Sequence, residues 1–490
     1  MAIVLTQPQP SAPHLHPSPL ISSKPLLTSS NCPHDTSSSP RVLSLTSIAP
    51  PPKSRPPPLP TELHLQIINS IASRIPHTPS RDEPYDPTDL EALCTCSLVC
   101  KLWMNIARVG IWAGVRLSGR RKSMAFVKLL EAYACEAEDG RSRMHMPSFG
   151  FYVVHLSVRE TRGNAWDPKW LNDALPTLAA HLPRVHILEM ERVTWEYLSA
   201  RSRAACLKAF KHATTLTLRG FAFHTSRDMC NFLTEFGDLK VLTLDGVHCA
   251  KMNTPRWFLD CSVDGERAVK SPSRMLEEVG VRGAPMGPIL EWILASFEYQ
   301  KEERKRGHGI KSIRLGGVGV GEADIIGKFL RGVGESLRKV HIGFDTDFIE
   351  TGDRLVSQID LAQNTNLEEF HIFGLVVPSP PPIDPFEQDP TPPQRTLTHL
   401  TSLLSQIRSP MRVLSLALYP ADLRAISTID FEGLAGVFEK PMWSKLDEVR
   451  VVISNKGEYG LGRAAIERLD ALNERGVLKV NVGFDEREVL

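Results

Sequence analysis

The sequence predicts an α/β protein in which a small helical module is followed by a long β/α solenoid. Short apolar segments of strand character recur after residue 150 at a spacing of about 32 residues, and helical stretches lie between them. The segment 59–117 instead carries helical periodicity alone. A chain of 490 residues exceeds the size at which one hydrophobic core keeps growing, which favours more than one folded unit.

The overall composition favours a reducing intracellular compartment and argues against nucleic acid and membranes as partners. The net charge of +1 gives no overall field that would attract nucleic acid or an anionic membrane. Nine cysteines, an odd number scattered between Cys32 and Cys261, do not form the framework of a secreted domain. No basic leader and no apolar run of about 20 residues is present. We therefore expect a soluble cytoplasmic and/or nuclear protein with no nucleic-acid or membrane partner.

The first segment, residues 1–58, is rich in proline and serine and ends in two triple-proline runs, 50–52 and 56–58. It contains too few large apolar side chains to offset the entropy of ordering the chain, so we predict a disordered tail. A polyproline ligand for an SH3-type or WW-type domain is the functional alternative.

The second segment, residues 59–117, is predicted to form three helices. Leu63, Ile67, Ile68 and Ile71 make a helical stripe after Pro60, which is tolerated near a first turn. A second helix begins near Pro87, where aspartates stand at capping positions, and a third carries apolar residues from 102 to 107. The connection 74–85 holds three prolines and breaks the helical pattern.

Particular residues of this segment resemble the F-box, the helical module of ubiquitin-ligase substrate receptors. The resemblance lies in Leu59-Pro60-x-Glu62-Leu63, in Ser97-Leu98-Val99-Cys100-Lys101-x-Trp103, and in Trp112. It implies a Skp-type adaptor as partner, and through the adaptor a cullin scaffold. The residues that it places at the adaptor surface are Leu59, Pro60, Leu63, Ile67, Leu98, Val99, Cys100, Lys101 and Trp103. The connection 74–85 is longer than in a typical F-box.

Residues 118–150 are predicted to be a linker or helical connection, and residues 151–490 form the repeat array. Eleven strands are predicted at 154–158, 186–190, 215–218, 241–244, 278–281, 312–315, 340–342, 370–372, 413–416, 449–451 and 478–480. The x-Leu-x-Leu pattern of these strands resembles a leucine-rich repeat, although the Asn or Cys that usually follows is mostly replaced, as by Asp245-Gly246. A Pro-rich loop is predicted at 377–395.

The sequence contains only weak matches to nucleotide-binding and metal-binding motifs. Gly316, Gly317, Gly319 and Gly321 lie between a strand and a helix, but Glu322 stands where a dinucleotide-binding turn needs a third glycine. Cys94, Cys96 and Cys100 lack a partner pair with zinc-like spacing. We therefore predict no cofactor and no metal site.

The combined pattern predicts a non-catalytic substrate receptor of a cullin ubiquitin ligase, as the F-box resemblance implies. The module would bind the adaptor, and the array would hold an unknown protein substrate. Two alternatives stay open: an interaction scaffold without adaptor binding, and a nucleotide-dependent enzyme that uses the glycine-rich turn.

Overall fold

The computed structural model describes residues 60–72, 87–138, 149–160, 169–251, 275–299, 309–345, 348–379, 397–453 and 461–482. The predicted disordered tail, residues 1–58, lies outside these ranges, as do residues 380–395 of the predicted Pro-rich loop.

Helices and strands alternate along most of the described chain. The described α-helices are α1 (Thr61–Ala72), α2 (Pro87–Ser97), α3 (Lys101–Ala113), α4 (Gly119–Glu138), α5 (Lys169–His181), α6 (Ala200–Phe210), α7 (Ser226–Thr234), α8 (Met286–Tyr299), α9 (Val320–Val333), α10 (Phe348–Gln358), α11 (Thr398–Ser405), α12 (Leu423–Thr428), α13 (Phe431–Phe438), α14 (Leu461–Arg468) and α15 (Asp470–Glu474). None of these described helices is both long enough and apolar enough to cross a bilayer.

Twelve of the described strands form one parallel sheet. The strands are β1 (Gly114–Ser118), β2 (His155–Arg159), β3 (Ile187–Glu191), β4 (Thr215–Arg219), β5 (Ala222–Thr225), β6 (Val241–Asp245), β7 (His248–Lys251), β8 (Glu278–Arg282), β9 (Ser312–Val318), β10 (Lys339–Phe344), β11 (Glu369–Val377), β12 (Val413–Pro420), β13 (Glu448–Ile453) and β14 (Leu478–Val482). They follow one another across the sheet in chain order, while β5 and β7 pair separately. All eleven predicted strands are present, and the predicted α/β class is confirmed.

The sheet begins earlier than the predicted array start at residue 151. β1, which lies inside the segment assigned to the helical module, pairs in parallel with β2. Val115 and Leu117 of β1 are buried in the main core. The predicted connection 118–150 contains α4, whose Val127 and Leu130 are buried in the same core. The first β/α unit therefore starts at Gly114, directly after α3.

Most strands present an apolar face to the helices and a mostly polar face away from them, whereas Phe373 of β11, Ala417 of β12 and Val452 of β13 form a separate small apolar cluster on the far face. In β9, for example, Ile313 and Leu315 are fully buried in the main core, whereas Arg314 between them is exposed. The same alternation holds from strand to strand because the register pairs Ile313 with Val279 on one side and with Val340 on the other. We call the polar face the open face.

The helical module is joined to the array through aromatic packing. Trp112, in the last turn of α3, lies 4.6 Å from the ring of Phe149 and 6.3 Å from that of Phe126, measured between centroids. The amide of Val154 donates a hydrogen bond to the carbonyl of Ala113 at 3.0 Å. Trp112 therefore contributes to the core of the array at the end of α3.

Candidate functional site

Helices α1, α2 and α3 enclose a small core that is separate from the core of the array. Ile68, Leu93 and Ala107 are fully buried in it, and Cys96 is nearly so. One of these residues comes from α1, two come from α2 and one comes from α3, so all three helices contribute to the same core. A core this small leaves many apolar side chains of the module unburied.

Several of those side chains are exposed near the beginnings of α1 and α3. Leu98 is 85% exposed and Val99 is 61% exposed, while Leu63 and Ile67 of α1 are 42% and 43% exposed. Exposed aliphatic side chains are common singly, but a concentration within so small a unit marks an interaction surface. We call Leu63, Leu65, Ile67, Leu98, Val99 and Leu102 the apolar end of the module.

Local backbone geometry explains why Leu98 and Val99 project outwards. The amides of Leu98 and Val99 donate to the carbonyls of Thr95 and Cys96 at 3.0 and 3.1 Å, which closes α2 in a tight turn. Cys100 is then extended, with φ −162° and ψ 170°, and its carbonyl accepts the first bond of α3 from Met104. The chain thus reverses through a turn whose two aliphatic side chains have no place in the module core.

Trp103 connects the two parts of the apolar end. Its side chain is half-buried against the module core, and its ring meets that of His64 edge-on with centroids 5.4 Å apart. This contact brings the first turn of α3 beside the first turn of α1. The α2–α3 turn and Leu63 therefore lie at the same end of the module.

The structure places the other predicted adaptor residues as follows. Pro60, Cys100 and Lys101 are exposed, and Leu59 lies outside the described residues. Sequence reasoning missed Leu65 and Leu102, which are each 40% exposed. Helical periodicity gave no signal for Leu65, because Leu65 lies three residues before the buried Ile68 and so on the same side of α1.

The open face carries a central row of side chains, one from each strand of the sheet. In register they are Arg116, Ser157, Glu189, Thr217, Thr243, Gly280, Arg314, His341, His371, Ser415, Arg450 and Lys479. Only a polar or small residue occurs at these positions, although the flanking positions within each strand are apolar. This face is the second candidate surface for a partner.

Two histidines stack at the middle of the C-terminal half of that row. The rings of His341 and His371 are 4.1 Å apart and 9° from parallel. Burial, together with the nearby His371, Arg314 and Lys339, lowers the pKa of His341 to about 3. Burial also lowers the pKa of His371, although Glu369 opposes that shift. The pair is therefore neutral at physiological pH.

The depressed pKa of His341 predicts that the protein loses stability in mild acid. The unfolded chain binds a proton near pH 6.5, whereas the folded chain resists protonation down to about pH 3. The stabilisation is complete above pH 6.5 and falls by up to about 1.4 kcal/mol per pH unit below it. Urea unfolding at pH 8 and pH 5.5 should show a smaller acid loss for His341→Gln than for wild type. His186→Gln, at an exposed histidine, should leave the acid loss unchanged.

The described residues offer little for a metal or a nucleotide. No group of three or more His, Cys, Asp or Glu side chains in the described ranges is placed to hold a metal ion. At the glycine-rich turn, the carboxylate of Glu322 accepts a hydrogen bond from the amide of Gly319 at 3.2 Å. The first turn of α9 is thus capped by its own side chain, where a pyrophosphate would otherwise bind.

Comparisons with known proteins leave the function to be argued from the chain itself. No protein-family model matches the sequence, and no curated protein matches it. Among solved structures, the chain is similar to one from the crystal structure of the yeast Rad7 and Elc1 complex. The two chains share 11% identity with a TM-score of 0.27, over 86% of this chain and 92% of that one.

Proposed function

We propose that this protein is the substrate-recognition subunit of a cullin ubiquitin ligase, with α1–α3 as an F-box-like module that binds a Skp-type adaptor. The observation that carries the proposal is the apolar end of the module, because Leu98 and Val99 are both strongly exposed on a turn between two helices. Exposing them to water is unfavourable, and covering them with a partner would recover that free energy.

The composition of the apolar end suits a helical protein partner. It is built from aliphatic side chains around Trp103, which is only half-buried and stands beside His64. Large aromatic residues at the centre of an interface contribute a large share of binding energy, and surrounding aliphatic groups exclude water from them. Lys101 lies at the start of α3 and supplies one positive charge at the rim.

The array, with strand and helix units stacked in chain order, is the leucine-rich-repeat-like part that holds a protein substrate. Its role is to hold the substrate close to a ubiquitin-charged enzyme, which raises the effective concentration of the acceptor lysines. No step of bond making is assigned to this chain.

Co-expression with a Skp-type adaptor tests the proposal. The two proteins should elute together from a gel-filtration column as a complex of equal stoichiometry. Separate elution of a folded wild-type chain would contradict adaptor binding and would leave an interaction scaffold as the remaining function. A thermal melt with millimolar NAD or ATP tests the enzyme alternative, because a bound nucleotide would raise the midpoint.

A further inference from the structure

The core of the array is closed at one edge of the sheet and open at the other. At the first edge, Val115 and Leu117 of β1 are only 9% and 3% exposed. At the last edge, Leu478 and Val480 of β14 are half-buried, and Val482 is 50% exposed. No strand of the described ranges pairs with the outer side of β14. The main core therefore reaches solvent at the β14 edge.

The three apolar side chains of β14 continue rows of the main core. The register aligns them with three side chains of β13 that are at most 1% exposed: Val449, Val451 and Ile453. The same rows of the core thus lose their cover within one strand. A repeat array whose last unit lacks a polar outer side exposes apolar surface, which a partner can cover.

The backbone of β14 offers hydrogen-bonding groups at the residues that carry these apolar side chains. The amide of Val449 donates to the carbonyl of Val477 at 2.8 Å, so the backbone groups of Val477 face β13. Because backbone groups of successive residues in a strand alternate in direction, those of residues 479 and 481 also face β13. The N–H and C=O groups of residues 478, 480 and 482 therefore point away from β13, along the open edge.

We propose that the open edge of β14 binds the same strand of a second copy of this chain, in antiparallel pairing about a two-fold axis at Val480. The inference goes beyond the proposed function and does not depend on it. In this register Val480 pairs with its own copy, and Leu478 pairs with Val482 of the partner subunit. Each pair is of the hydrogen-bonded kind, because both of its residues direct their N–H and C=O groups outwards. The edge is therefore complementary to itself.

Side-chain direction and charge favour the same register. A two-fold axis perpendicular to the sheet keeps the helix-covered faces of both copies on one side, so the apolar side chains of β14 join the two cores. On the open face, Lys479 lies opposite Asn481 of the partner subunit, so like charges are not opposed. The ammonium group of Lys479 also lies 2.7 Å from the carboxylate of Glu448 on β13. The other sheet edge is a poorer partner for β14, because the side chains of β1 are already buried.

The proposed contact is small and lies far from the helical module. A strand of five residues covers less area than a standard protein–protein interface, so we expect a reversible dimer with a Kd of about 1–100 µM. β1, which directly follows α3, and β14 are the two edge strands of the twelve-stranded sheet. A dimer formed through β14 therefore carries two helical modules and two arrays.

Sedimentation velocity of the full-length chain, from about 1 to about 200 µM, tests the proposal. The wild-type chain should change from monomer to dimer over this range. Val480→Pro should abolish the dimer, because it removes the central N–H donor but no hydrogen bond to β13. Val482→Lys should weaken the dimer about tenfold or more, because it brings a charge into an apolar contact. Val109→Lys is the matched control: it makes the same change at a valine of equal exposure (49%) on α3 and should leave the dimer unchanged.

Three results would overturn the proposal: a wild-type chain that stays monomeric throughout, a dimer that keeps its affinity in both β14 variants, or an equal loss in Val109→Lys. Should Val480→Pro lower the melting temperature, Val482→Lys decides, because its side chain is half-exposed in the monomer. Val480→Cys tests the register. Paired Cα atoms would lie about 5.5 Å apart, so mild oxidation should cross-link this variant but not the wild type treated alike. A dimeric Val480→Cys variant that does not cross-link would contradict the two-fold axis at Val480.

Discussion

Replacing Leu98 and Val99 together by aspartate is expected to weaken adaptor binding by roughly 100-fold, which corresponds to about 2.7 kcal/mol. The two side chains are the most exposed large aliphatic groups of the module, at 85% and 61%, and in the proposed complex both become buried. Aspartates at these positions would bring two unpaired charges into an apolar interface, which is costly beyond the lost contact area. Calorimetric titration of the adaptor into the purified variant measures the effect.

The same substitution should leave the folded chain intact. Because both side chains are solvated in the free protein, the free energy of unfolding should change by less than about 0.5 kcal/mol. Leu423→Asp is the matched control, since Leu423 is an exposed leucine (48%) on α12 in the array, and it should keep full adaptor affinity. An adaptor complex that survives the double substitution would show that this turn is not the docking surface.

The second large effect is expected within the array. Ile313→Ala should lower the free energy of unfolding by about 2–5 kcal/mol, because Ile313 is fully buried between Val279 and Val340 in the register of the sheet. Arg314→Ala, one residue further along β9, should lower it by no more than about 0.5 kcal/mol. Urea unfolding followed by circular dichroism measures both.

This pair of neighbours tests the two-faced description of the sheet. Each unit of such an array is stabilised by the units beside it, so a cavity at Ile313 weakens the contacts of β9 with β8 and β10 together. Similar losses for Ile313→Ala and Arg314→Ala would mean that the polar face is also covered, and the open face would then be unavailable to a substrate.

Most of the fold could be predicted because burial acts on every strand in the same way. A parallel strand covered by helices needs apolar residues at alternate positions, and eleven segments of this chain show them clearly. β1 was missed because its only apolar signal, Val115 and Leu117, is short and stands between two helices without a turn sequence. β5 and β7 were missed because they carry polar residues such as His224 and His248.

Part of the candidate site could likewise be predicted from the sequence, and part could not. The exposed turn at Leu98 and Val99 could be named from the resemblance of its residues to an F-box, although its exposure could not be read from apolar periodicity. The position of Arg314, Lys339, Arg450 and Lys479 on one face of the sheet could not be predicted, because these residues are far apart in the sequence. Only the register of β9 to β14 brings them onto one surface.

Amide hydrogen exchange of the full-length chain, measured with and without a Skp-type adaptor, tests the docking surface directly. Peptides that cover α1 and the segment from Leu98 to the first turns of α3 should exchange more slowly in the complex, because the adaptor covers those helices and suppresses their local opening. Peptides from β9 to β14 should exchange at the same rate in both samples. Unchanged exchange in α1 and α3, with protection in the array instead, would contradict the assignment of the helical module as the adaptor-binding surface.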